Sequence, residues 1–80
     1  MGFAKTEEEW AERAARHLKA ELKRADVTYE ELAEKLKKHG FKGETKASVT
    51  NKLARGTFTA TFFLAALVAI GCEAVRLEEI

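Results

Sequence analysis

The sequence predicts an all-α fold, a compact domain of four to five helices, on three observations. No proline occurs in its 80 residues, and Ala, Leu, Glu and Lys are abundant, a composition that favours helix throughout. Large apolar residues recur at spacings of three and four, and no stretch alternates β-branched with polar residues as a strand would. Hydroxyl residues stand at the head of the apolar runs, where a helix start needs an acceptor for its free N–H groups. These signals place helices at about 6–25, 28–39, 45–55, 60–70 and 72–78 within a single domain spanning residues 1–80. A chain of this length has a modest core, with stability that is marginal or shared with a second copy.

After a frayed start at Met1 to Lys5, Thr6 followed by Glu9 forms a capping-box pattern. Trp10, Ala14, Leu18 and Leu22 then recur every fourth residue, which places Trp10 with the leucines on an inward stripe. Thr28 and Glu31 repeat the capping pattern, Val27 and Leu32 fit a hydrophobic staple around it, and Leu32, Ala33 and Leu36 face inward. Gly40 closes this helix and Phe41 is expected to tuck back into the core. Thr45 caps the third helix, whose only large apolar side chains are Val49 and Leu53, and Gly56 supplies the positive φ that stops it. Thr59 opens a strongly apolar helix in which Phe62, Phe63, Ala66, Leu67 and Ile70 face inward, while Leu64 and Val68 leave the other side apolar as well. An exposed helix of that kind is expected to find a partner. Gly71 closes it, and a last turn or two from Cys72 contributes Val75 and Leu77.

Charge is nearly balanced overall, at +1, but it is unevenly spread. Residues 1–26 cancel. Residues 35–55 carry Lys35, Lys37, Lys38, Lys42, Lys46, Lys52 and Arg55 against Glu44 alone. The third helix therefore combines a narrow buried face with a basic, hydrogen-bonding one, the mixture that meets phosphates and base edges in a DNA groove. On this basis the base-contacting residues are Lys46, Ser48, Thr50 and Asn51, and the phosphate-contacting residues are Lys38, Lys42, Lys52 and Arg55. Asn51, whose amide donates and accepts at once, is the best placed base reader.

Other classes find less support. His17 and His39 sit 22 positions apart on different expected helices, and Cys72 is the lone cysteine. No nucleophile-base set, metal-ligand cluster or Gly-rich phosphate loop emerges, so the expectation is a non-enzyme without metal or cofactor. The apolar stretch at 60–70 is too short to span a bilayer. The N-terminus lacks the pattern of a signal peptide, and one thiol gains nothing from an oxidising compartment, so the expected location is cytoplasmic.

The segments Thr28-Tyr29-Glu30-Glu31-Leu32-Ala33-Glu34-Lys35-Leu36, Lys52-Leu53-Ala54-Arg55-Gly56 and Phe63 to Gly71 resemble the second helix, the end of the recognition helix and the fourth helix of the Cro and phage-repressor-like helix-turn-helix domains. That likeness covers Leu18 to about Leu77. The link from His39 to Glu44 is longer than the three or four residues usual at the turn of that motif. The chain is still more similar to a small bacterial family of domains of unknown function, through Trp10 to Arg13, Thr28 to Ala33 and Arg55 to Phe63. The repressor resemblance implies a bacterial transcriptional regulator, binding double-stranded DNA as a homodimer through the apolar helix 60–70 and the C-terminal tail. The alternative is a protein-protein interaction module, antitoxin- or adaptor-like, in which the lysines serve only solubility.

Overall fold

Threonine opens every α-helix of this protein. A computed structural model describes residues 2–80 and contains α1 (Glu7–Ala25), α2 (Tyr29–Lys37), α3 (Lys46–Arg55) and α4 (Ala60–Ala69), followed by a short 3-10 helix at Leu77–Glu79. The hydroxyls of Thr6, Thr28, Thr45 and Thr59 accept from the backbone N–H groups of Glu9, Glu31, Ser48 and Phe62. Each such cap is worth about 1 kcal/mol. The bond is reciprocated at Thr28, by the Glu31 carboxylate, and at Thr45, by the Ser48 hydroxyl. At Thr6 the Glu9 carboxylate instead accepts from the Lys5 N–H at 3.1 Å.

The caps fix where the helices begin; a single apolar core fixes how they meet. Leu18 and Leu22 of α1, Leu32, Ala33 and Leu36 of α2, Val49 and Leu53 of α3, and Phe62, Ala66 and Leu67 of α4 form one buried cluster. Both α3 and α4 are seated on α1 and α2. Burying a leucine or phenylalanine of this kind contributes roughly 1.5–3 kcal/mol, so a ten-residue helix such as α3 is held by its two inward side chains rather than by its own propensity. Phe41 tucks back as the sequence predicts: it is half-buried, its ring meets Phe62 edge-on at 6.2 Å, and its N–H donates to the Leu36 carbonyl. The long link from α2 to α3 is thus a folded loop pinned at its middle.

Gly56 sets how closely α3 approaches α1. Its φ of +67 ends the helix, and a Cβ built on it would lie 2.4 Å from the Ala11 carbonyl oxygen. Only a residue without a side chain lets the two backbones meet here.

Four expectations change. Trp10 is 44 % exposed and stacks on Phe3 instead of entering the core. The reason is angular drift: at about 100° per residue, residues four apart advance about 40° at each step, so Trp10 stands about 120° round the helix from Leu22, and it is the adjacent Ala11 that meets α3 at Gly56. The leading segment is tied down over its described part: Ala4 is buried, and the Gly2 carbonyl accepts from Arg13 at 3.0 Å. Met1 lies outside the described residues. The second helix stops at Lys37 rather than near His39. The expected helix at 72–78 is instead an irregular strap over 72–76 that leads into the 3-10 turn. No side-chain cap supports a start after Gly71, and Cys72 and Val75 gain more by packing on the core as an extended segment.

Candidate nucleic-acid interface

Burial of Val49 and Leu53 turns the rest of α3 outward. At about 100° per residue, Asn51 stands opposite the midline between those two side chains. Lys46, Ala47, Thr50, Asn51, Ala54 and Arg55 are all exposed. The Asn51 amide makes no hydrogen bond to any described residue. Thr50 donates its hydroxyl to the Lys46 carbonyl at 2.7 Å and retains acceptor capacity toward solvent.

Two of the expected contact residues have other duties. The Ser48 hydroxyl accepts from the Thr45 N–H at 2.8 Å and lies 2.7 Å from a Glu44 carboxylate oxygen, to which it donates. Lys52 bends toward the protein, with its ammonium 2.7 Å from Glu44 and 5.3 Å from the centre of the Phe62 ring. Burial works to raise the pKa of Glu44, but the hydrogen bonds from Lys52 and Ser48 and the charge of Lys52 outweigh it and hold the carboxyl below its ordinary value. An ammonium held by a shielded carboxylate and an aromatic face is poorly placed to neutralise a phosphate. The sequence signal was present, since Glu44 is the one acid in the basic stretch, but its partner lies eight positions away across the helix start.

The remaining cations divide by location. Lys38, Lys42 and Lys46 are exposed and form no ion pair with any described residue, so the basic rim lies along the α2–α3 link and the first turn of α3. Arg55, at the other end of α3, lines a cleft of about 740 Å³ with Thr6, Glu7, Glu8 and Trp10, and a second one that includes Glu8 and Glu12. Carboxylates therefore surround its approach. The positive field is strongest toward the N-terminal end of α3, and the acidic first turn of α1 opposes a polyanion at the C-terminal end.

The model for a domain of unknown function, DUF6471, matches residues 10–75. The chain belongs to that family. The match runs from Trp10 to Val75 and so takes in all of α2, α3 and α4 and most of α1. No curated protein and no solved structure matches the chain. Family membership establishes the resemblance to a domain of unknown function; the family description itself carries no activity.

Other features of this family member add no chemistry to the face. Among the described residues, no group of three or more His, Cys, Asp or Glu side chains is placed to hold a metal ion. Among the described residues, no single helix is long and apolar enough to cross a membrane. Cys72 is a free, half-buried thiol that donates to the Ala74 carbonyl. His17 packs beside Phe63, and its buried Nε2 has no hydrogen-bond partner among the described residues.

Proposed function

We propose that this DUF6471 domain binds double-stranded DNA, with the outward face of α3 in the major groove, and acts as a transcriptional regulator. The observation that carries the proposal is an uncommitted Asn51 amide at the crest of α3 together with the exposed cations Lys38, Lys42 and Lys46, which lie on or just before the start of that helix and form no ion pair among the described residues. Exposed ammonium groups along a helix start meet phosphates, and an amide at the crest meets base edges. Ser48 and Lys52 leave the contact set because Glu44 engages both.

Salt dependence tests this directly. With about three phosphates neutralised by Lys38, Lys42 and Lys46, log affinity falls with log salt at a slope near −3, about 60-fold between 50 and 200 mM. Fluorescence anisotropy with a labelled duplex measures it. Lys42→Ala reduces the slope by about one, and a flat response in the parent protein overturns the proposal.

A second reading, a protein interaction module, is favoured by α4. Leu64 and Val68, one turn apart, are 62 % and 60 % exposed on a helix without a charged residue. The two readings combine if this face pairs with a second copy, giving a homodimer whose two α3 helices meet successive half-sites.

A further inference from the structure

Within the DNA-binding reading, on which this rests, we infer that the α3 face selects an A·T pair, with Asn51 reading adenine and the flanking Ala47 and Ala54 accommodating thymine methyl groups. Three observations converge. Asn51 lies opposite the buried midline of α3, so it faces directly away from the core. Its neighbours one turn before and just under one turn after are Ala47 and Ala54, both exposed, each presenting only a methyl group. Its amide is uncommitted, whereas Ser48, Thr50 and Lys52 on the same helix all spend hydrogen-bonding capacity on the protein.

The chemistry then favours one base pair. A carboxamide presents an acceptor and a donor side by side, which matches the N6 amino group and N7 of adenine in the major groove. Guanine offers two acceptors at that edge, so the amide oxygen would face another lone pair. Low alanine side chains on both sides let the helix backbone approach closely, and their methyl groups supply apolar contact for the C5-methyl of thymine, which cytosine lacks. Lys46, the first residue of α3 and about 140° round the helix from Asn51, is placed for the phosphates rather than the bases.

Selection from a pool of random-sequence duplexes at low salt tests the inference with the parent protein, Asn51→Ala and Asn51→Arg. All three are checked for folding by circular dichroism, and the exposed position is expected to tolerate both substitutions. The parent enriches duplexes with a fixed A·T pair, and replacing that pair by G·C weakens binding about 5- to 100-fold. Asn51→Ala binds the two duplexes with nearly equal affinity, and Asn51→Arg prefers G·C. If the parent binds duplexes without A·T discrimination, or Asn51→Ala keeps the discrimination, the inference falls while DNA binding stands. If no duplex is retained at any salt concentration, the DNA-binding reading falls and takes the inference with it.

Discussion

Gly56→Ala is the substitution for which the structure gives the sharpest expectation. Two separate costs act at that residue. A φ of +67 strains any L-residue with a side chain by about 1–2 kcal/mol. The new methyl would also sit 2.4 Å from the Ala11 carbonyl oxygen, and because that atom is backbone inside α1, relief requires α1 and α3 to separate. Overpacking of this type costs roughly 1–3 kcal/mol. Alanine returns about 0.4–1 kcal/mol by restricting the unfolded chain. The net loss is about 2–4 kcal/mol, a large part of the roughly 4–12 kcal/mol expected for a domain of this size. At about 4–8 °C per kcal/mol, thermal unfolding followed by circular dichroism shifts down by roughly 10–30 °C.

Two companion variants separate the costs. Gly40→Ala carries only the strain, because φ is +92 but nothing lies within 4 Å of the added carbon. Gly43→Ala carries neither, with φ outside the left-handed region and open space around it. The expected order of melting temperature is Gly43→Ala at or above the parent, then Gly40→Ala, then Gly56→Ala. If Gly56→Ala melts level with Gly40→Ala, the close approach of α3 to α1 is refuted.

Three further outcomes follow from the same geometry. Glu44→Gln lowers stability at neutral pH by roughly 1 kcal/mol. Because the folded-state pKa of Glu44 is depressed, its contribution is present above the unfolded carboxylate value near 4.3 and is lost as pH falls through the lower folded value. Denaturant titrations should therefore show the parent and the variant converging in acid, and a difference independent of pH would contradict the ion pair. Trp10→Ala costs only about 1 kcal/mol, well below the 3–5 kcal/mol of a buried tryptophan, and Trp10 fluorescence in the parent is quenched by iodide; a shielded indole would contradict the outward placement of Trp10. For α4, Leu64→Lys combined with Val68→Lys leaves the fold intact and converts a sedimenting dimer to monomer, while a parent that sediments as a monomer removes the homodimer from the proposal.

What the sequence disclosed depends on how local the deciding physics is. The four threonine caps were legible because a hydroxyl and the N–H it binds lie three residues apart. The inward faces of α2 and α3 were legible for a similar reason, since a spacing of four defines a helix face wherever the helix ends up. Periodicity misplaces Trp10 because a strict spacing of four drifts about 40° at each step, enough over three steps to carry it off the face of Leu22. Ser48 and Lys52 look like contact residues on a helical wheel, but the acid that engages them precedes the helix and meets them only after the loop folds. Gly56 was half legible: a helix stop predicts its positive φ, and nothing nearby in the chain names Ala11. At the candidate face, Asn51 keeps the outward position that periodicity assigns it, whereas Lys46, on the angular side of Val49 and Leu53, is exposed because it is the first residue of α3. The C-terminal strap had too few residues and no capping group to decide its own conformation.

The choice of threonine at every helix start also shapes how the domain would come apart. A hydroxyl neither gains nor loses a proton across the usable pH range, in contrast to the aspartate that often fills that position. Acid therefore removes the Glu44 lock and the Glu31 half of one capping box while the hydroxyl-to-amide bonds at Thr6, Thr28, Thr45 and Thr59 survive. Both lost ties are local to the starts of α2 and α3, whereas the buried cluster that joins the helices holds no titrating group, so a falling pH loosens two helix heads and leaves the shared interior closed.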